Sequence, residues 1–200
     1  MELKEKRMKA VLLSIQPKWC ELIASGKKTV EVRKTRPKLE TPFKCYIYCT
    51  QGDALAVPCL NNPHYAIHRM NNGTPNCRQM TEEERGQSDH QFANGKVIGE
   101  FVCNLMTSFK AMGEVQALYN EAKETCISHD EIIKYANGKR LYYWHISDLK
   151  IYDTPKALSE FCHPCDRDPQ CDCRYCVRHG GKKPILRAPQ SWRYVEALNG

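Results

Sequence analysis

Two long β-prone runs dominate the second half of the chain: GKVIGEFVCNLM at 95–106 and KRLYYWHISDLKIYD at 139–153. Runs this rich in aliphatic and aromatic residues satisfy their backbone and bury their side chains only within a sheet. Between them lie two helical stretches rather than a single crossover. GEVQALYNEAKETC is amphipathic. SHDEIIKYANG carries Ser128 as N-cap, Glu131 three residues on as its capping-box partner, and Gly138 just past its end. Gly99 inside the first run marks a bulge or a close backbone approach. There is no sustained strand–helix alternation, and neither GxGxxG nor GxxxxGK[ST] occurs, which excludes a doubly wound parallel sheet and the nucleotide sites built on those loops.

The first half adds shorter elements. KAVLLSI (9–15) reads as a buried strand. Pro17 opens the helix PKWCELIASG, which stops at Gly26. KTVEVRK and KCYIYCT (44–50) are the second and third strands, joined by the extended, proline-containing TRPKLETPF. Residues 51–95 lack clear periodicity and read as a surface insertion, with a short helix near TEEERGQ. A further short helix, PKALSEF, begins at Pro155, and APQSWRYVEAL supplies a last strand. The order predicts an α+β chain: a mainly antiparallel β-barrel with short flanking helices and a Cys-rich C-terminal segment. Residues 1–161 form the main domain with 51–95 inserted, 162–187 the Cys-rich segment, and 188–200 a strand returning to the barrel.

Charge is uneven. Residues 1–38 hold eleven Lys and Arg against four acids, 39–161 twelve against fifteen, and 162–193 seven against three. If the basic ends meet in space, they form the positive surface expected of a nucleic-acid or phosphate partner; otherwise they only aid solubility. No apolar run is long enough to span a bilayer and no cleavable leader is evident, so a cytoplasmic location is expected. Twelve cysteines are present. Those set in apolar runs, such as Cys45, Cys49 and Cys103, read as reduced thiols packed as small hydrophobes.

The other cysteine group is CHPCDRDPQCDCRYCVRH. Cys162-x-x-Cys165 and Cys173-x-x-Cys176 are two CxxC knuckles, and Cys171 is a fifth candidate ligand. Four of these five thiolates suit one tetrahedral structural Zn2+. The segment has little apolar content, so a metal would supply its folding energy.

GKKTVEVRK (26–34) raises the question of a site. On an alternating strand, Val30 and Val32 point one way, and Glu31 and Arg33 the other, with Lys28 near that edge. Glu31 would hold the Arg33 guanidinium, leaving its fork to read a phosphate or a base edge. A desolvated Lys28 would serve as a base, with Glu31 beside it as a second candidate catalytic group. Trp19 and Trp192 offer stacking surfaces, and Gln190 and Ser191 offer polar contacts to a base or ribose. The competing readings are a surface salt bridge without function and, for Trp192, core packing.

SIQPKWCELIASGKKTVEVRK, with its G-x-K-x-x-E-x-R pattern (Gly26, Lys28, Glu31, Arg33) and the later NGKVIGEFVC strand, resembles the ASCH domain, whose fold is similar to that of the PUA RNA-binding domain. The pairing of WHISDLKIYD with PQSWRYVE resembles ASCH proteins carried by bacteriophages and Gram-positive bacteria. The resemblance covers about 9–50, 94–153 and the tail. It implies a PUA-like barrel with a cleft beside the first helix that receives RNA or a nucleoside. Some members are amidohydrolases on acetylated cytidine, using a Lys, a Thr and a Glu with a nearby Arg; others are ribonucleases. By that resemblance the Lys falls on Lys28 and the Arg on Arg33. Glu31 stands where the Thr would be, and Glu124 lies near the expected Glu. Three roles are therefore open: an RNA or nucleoside binding module, a hydrolase using Lys28, or a phage-type protein that binds a host protein through 51–95.

Overall fold

Alternation along the first strand sets the architecture. In Lys9–Ile15 (β1), Val11, Leu13 and Ile15 face one core while Ala10 and Leu12 face another. The sheet is therefore covered on both sides. The computed structural model describes residues 8–51, 54–56, 67–71, 74–77, 95–110, 123–164 and 183–198. After β1 come helix Pro17–Ala24 (α1) and strands Val30–Arg33 (β2) and Phe43–Cys49 (β3). Three short strands follow, Ala54–Ala56 (β4), Ile67–Asn71 (β5) and Thr74–Cys77 (β6). The chain continues through Val97–Lys110 (β7), helix His129–Ala136 (α2), Arg140–Lys156 (β8) and Trp192–Glu196 (β9).

Six strands form one sheet in the order β2-β8-β7-β3-β1-β9. All neighbours are antiparallel except β1 and β3, which run parallel around the α1–β2 excursion. The sheet curls around its main core: Val11, Leu13, Cys20, Ile23, Cys45, Ile47, Phe101, Cys103 and Trp144 pack together, with Trp192 and Tyr194 against them. On the convex side, α2 lays Ile132 and Ala136 over Val30, Val32 and Tyr143. Phe161 and Ile185 cover Leu12, Tyr46 and Val195. The sequence-expected core thiols Cys20, Cys45, Cys49 and Cys103 are buried, and burial raises the pKa of Cys20, Cys45 and Cys103.

The expected barrel is an open sheet: β2 and β9 are its two edges. A closing ladder needs long rows of backbone donors and acceptors on both edges. β2 offers only 4 residues, and the Glu196 N–H of β9 is already donated to the Cys162 carbonyl at 3.0 Å. Side chains bridge the seam instead. Trp192 Nε1–H donates to Thr35 Oγ1 at 2.9 Å and the Lys38 N–H to the Tyr194 hydroxyl at 2.6 Å. The basic stretch Lys34–Lys38 is thereby held against the C-terminal strand, and β1 and β9 are neighbours.

Other differences have local causes. The strand expected at 139–153 runs on to Lys156, because Lys156 pairs with Val97. Pro155 consequently opens no helix, and only a single turn at Leu158–Glu160 remains. The 51–95 insertion contains a three-stranded sheet, β4-β5-β6. Asn71 pairs with Thr74 across Asn72-Gly73, a hairpin dipeptide whose signal outweighs the weak periodicity around it. The helix expected at 113–126 lies mostly outside the described residues, and that near 81–87 wholly so. The α2 capping box forms as read, with Ser128 accepting from the Glu131 N–H. Gly99 is crowded as expected: a Cβ there would sit 2.5 Å from the Lys150 carbonyl.

Candidate functional site

β2 positions the site. Glu31 pairs with Trp144 and Arg33 with Tyr142, so all four side chains share the concave face. Lys28 arrives there because α1 ends at Gly26, whose φ of 71° turns the chain back; the Lys28 N–H then caps the helix on the Leu22 carbonyl at 2.8 Å. The half-solvated strand expected from alternation is buried on both faces, since all 4 residues of β2 are buried. The curl covers its inner side and α2 its outer side.

The three expected residues meet. Glu31 bridges Arg33 Nη2 at 2.9 Å and Lys28 Nζ at 3.5 Å. Lys28 is 1% exposed, Glu31 6% and Arg33 8%, which takes the group out of the surface salt-bridge class. Lys28 Nζ also donates to the Thr125 carbonyl at 2.7 Å. Arg33 is the latch of the open seam. Its Nη2 donates to the Ser14 carbonyl at 2.8 Å, and its Nη1 to both the carbonyl and Oγ of Ser191 at 3.3 Å. Burial lowers the Lys28 pKa, and Glu31 opposes that shift without cancelling it.

Two buried donors in this region have no acceptor among the described residues: Arg33 Nε and Trp144 Nε1. Each such donor costs about 1–3 kcal/mol. Trp19 is half-buried beside the group, with Lys28 Nζ 5.2 Å and Lys18 Nζ 4.2 Å from its ring centroid. Trp192 packs on Trp144 at 6.1 Å and Tyr194 at 5.4 Å, so packing accounts for most of its surface. Ser191 joins the site; Gln190 is exposed and takes no part in the Arg33 bonds. Lys18, Lys27, Lys34, Arg36 and Lys38, on the segments that flank the group, are all exposed.

The family model for the ASCH domain matches residues 13–145. The chain belongs to the ASCH-domain family. No curated protein sequence matches it. Among solved structures, the ASCH protein of Zymomonas mobilis is similar. One mutant, with a tyrosine replaced by phenylalanine, has a TM-score of 0.52 at 15% identity, covering 94% of this chain and 90% of that one. A second, with a serine replaced by alanine, has a TM-score of 0.51 at 15% identity, covering 92% and 87%. These likenesses show the fold, which is the PUA-like fold of the ASCH domain. Gly26, Lys28, Glu31 and Arg33 all lie within the matched span of this ASCH protein.

Ser14, Thr125 and Trp144 were missed in the sequence. Ser14 and Thr125 act through backbone carbonyls, which no residue type announces. Trp144 is one of several aromatics in its run, and only its register opposite Glu31 singles it out. Glu124 is exposed; its carbonyl accepts the Thr29 N–H at 3.0 Å, next to the carbonyl that holds Lys28. Of the five candidate zinc ligands, Cys165, Cys171, Cys173 and Cys176 lie outside the described residues. Cys162 is described: it forms a bridge with Pro184 and is half-buried. Among the described residues no group of His, Cys, Asp and Glu is arranged for a metal, and no helix is long and apolar enough to cross a membrane.

Proposed function

We propose that this ASCH protein binds RNA or a modified nucleoside at the concave face of β2, with Lys28, Glu31, Arg33 and Ser191 as the ligand-binding group. The burial of two cations and a carboxylate at the one unladdered seam of the sheet carries the reading. Ion pairs this deep are a poor source of stability, so recognition accounts for them better than folding does. The exposed lysines and Arg36 around the seam supply attraction for phosphates. The test is fluorescence anisotropy with labelled single-stranded RNA. Affinity should fall steeply as salt rises and drop in Arg33→Ala. If neither RNA nor nucleosides bind at low salt, the reading fails and a protein partner engaged through 51–95 takes its place.

A hydrolase is the second reading, favoured by one observation: burial moves Lys28 toward its neutral form, as a general base requires. The substrate would be an acylated cytidine or RNA. Lys28 would first have to leave the Thr125 carbonyl. Turnover by the pure protein that disappears in a folded Lys28→Ala variant would replace the binding-module reading with this one.

The Cys-rich segment is proposed to hold one structural zinc through four of Cys162, Cys165, Cys171, Cys173 and Cys176. Its support is the doubled CxxC spacing, together with a feature of its base. The His163 N–H donates to the Lys183 carbonyl at 2.9 Å and the Ile185 N–H to the Phe161 carbonyl at 2.7 Å. The segment therefore leaves and re-enters the fold at one place, as a chelating loop does.

A further inference from the structure

We propose that Arg33 Nε–H and Trp144 Nε1–H form one subsite for a neutral carbonyl oxygen of the bound base. This rests on the ligand reading above and specifies which part of the ligand reaches the buried group. The other nitrogens of the Arg33 guanidinium are committed: Nη1 to Ser191, and Nη2 to the Ser14 carbonyl and Glu31. Of the phosphate and the base edge that the sequence left open for this fork, the committed Nη1 and Nη2 favour the base, and Nε is the donor that remains. Trp144 Nε1 is the second donor without an acceptor, on a side chain with 0% exposure.

The two side chains are diagonal neighbours across the β2–β8 ladder, because Glu31 pairs with Trp144 and Arg33 with Tyr142. Such neighbours are about 7–8 Å apart, within reach of each other for long and aromatic side chains. Charge decides what both can take. A phosphate would face the Glu31 carboxylate and surrender its hydration beside a lysine already driven toward neutrality. A keto oxygen has two lone pairs, accepts two N–H bonds and adds no charge. A site that hydrogen-bonds an oxygen also rejects analogues lacking it, since its donors are then left unpaired. The subsite therefore selects bases with a ring carbonyl, which uracil, cytosine and hypoxanthine have and adenine lacks.

The experiment is an NMR titration of the full-length protein, ¹⁵N-labelled, with uridine, cytidine, inosine and adenosine monophosphates, following the three indole N–H signals. The three keto nucleotides should shift the Trp144 indole signal and bind about tenfold tighter than adenosine monophosphate. Trp144→Phe should bring uridine monophosphate down to the adenosine level. The wild-type indole signal keeps the proposal testable should that variant fold poorly. Equal affinities with an unmoved Trp144 signal, or RNA binding with no nucleotide moving it, would overturn the subsite and leave the module reading standing. No binding of any nucleotide or RNA would overturn both.

Discussion

Glu31 is the keystone of the buried group, and Glu31→Gln is the perturbation that tests it. The change keeps shape and removes one negative charge from between Lys28 and Arg33, at 3.5 and 2.9 Å. Breaking a buried pair by deleting one partner costs about 3–5 kcal/mol, because the remaining charges stay desolvated. For a chain of this size that is a drop in Tm on the order of 10 °C. The loss should depend on pH. The folded-state pKa of Lys28 lies below its unfolded value of 10.5, so between the two the unfolded state binds more protons and stability rises with pH. Glu31 supplies the main opposing effect, so its removal lowers the folded pKa further and widens that window downward. The deficit of Glu31→Gln should be largest below the folded-state pKa of Lys28 and shrink as the pH rises through it toward the unfolded value of 10.5, as Lys28 becomes neutral. It should not vanish, because the 2.9 Å Glu31–Arg33 pair is lost across the whole range. Urea denaturation of both proteins across that range measures it. A deficit under about 1 kcal/mol that is flat with pH would mean that the three groups are solvated, and would remove the basis of the site.

Three further outcomes are expected. Gly99→Ala should destabilise the fold by about 1–3 kcal/mol in chemical denaturation, because its methyl would meet the Lys150 carbonyl at 2.5 Å; an unchanged midpoint would contradict the β7–β8 register. Ser128→Ala should lower Tm by roughly 2–4 °C through loss of the α2 cap, with ligand binding unchanged. Elemental analysis of protein prepared without chelator should find about one zinc per chain, lost on acidification as the thiolates protonate; metal-free protein, or disulfides among Cys162, Cys165, Cys171, Cys173 and Cys176 in reducing buffer, would remove the zinc assignment.

The fold class was legible in the sequence, and so was the meeting of three side chains on β2. Lys28, Glu31 and Arg33 were legible because strand alternation places Glu31 and Arg33 on one face and the stop at Gly26 brings Lys28 to it. Their burial was not legible, since it depends on α2 and on the curl of the sheet, which are contacts between segments far apart in the chain. The same non-local terms explain the missed ends of β8. Val97 pairs with Lys156, and a ladder of that length overrides the helix signal of Pro155. Conversely, Asn72-Gly73 was a local signal that could have been read, and it announced the β5–β6 hairpin inside a stretch otherwise without pattern. The barrel expectation failed at one place only: nothing in the composition of β2 or β9 says that their shared seam is held by side chains instead of a ladder.

Arg33 reaches its Ser191 receptor across 158 residues of chain, and Lys28 its Thr125 carbonyl across 97. On a ribosome, therefore, the N-terminal strands emerge long before the groups that complete the site. A nascent chain cut short before residue 191 would lack the Ser191 partner of Arg33 and leave β1 without its β9 neighbour, an unpaired edge open to aggregation. Assembly of the buried Lys28–Glu31–Arg33 group thus waits on carbonyls supplied from segments far along the chain, and its folding is a late event however early its own strand is made.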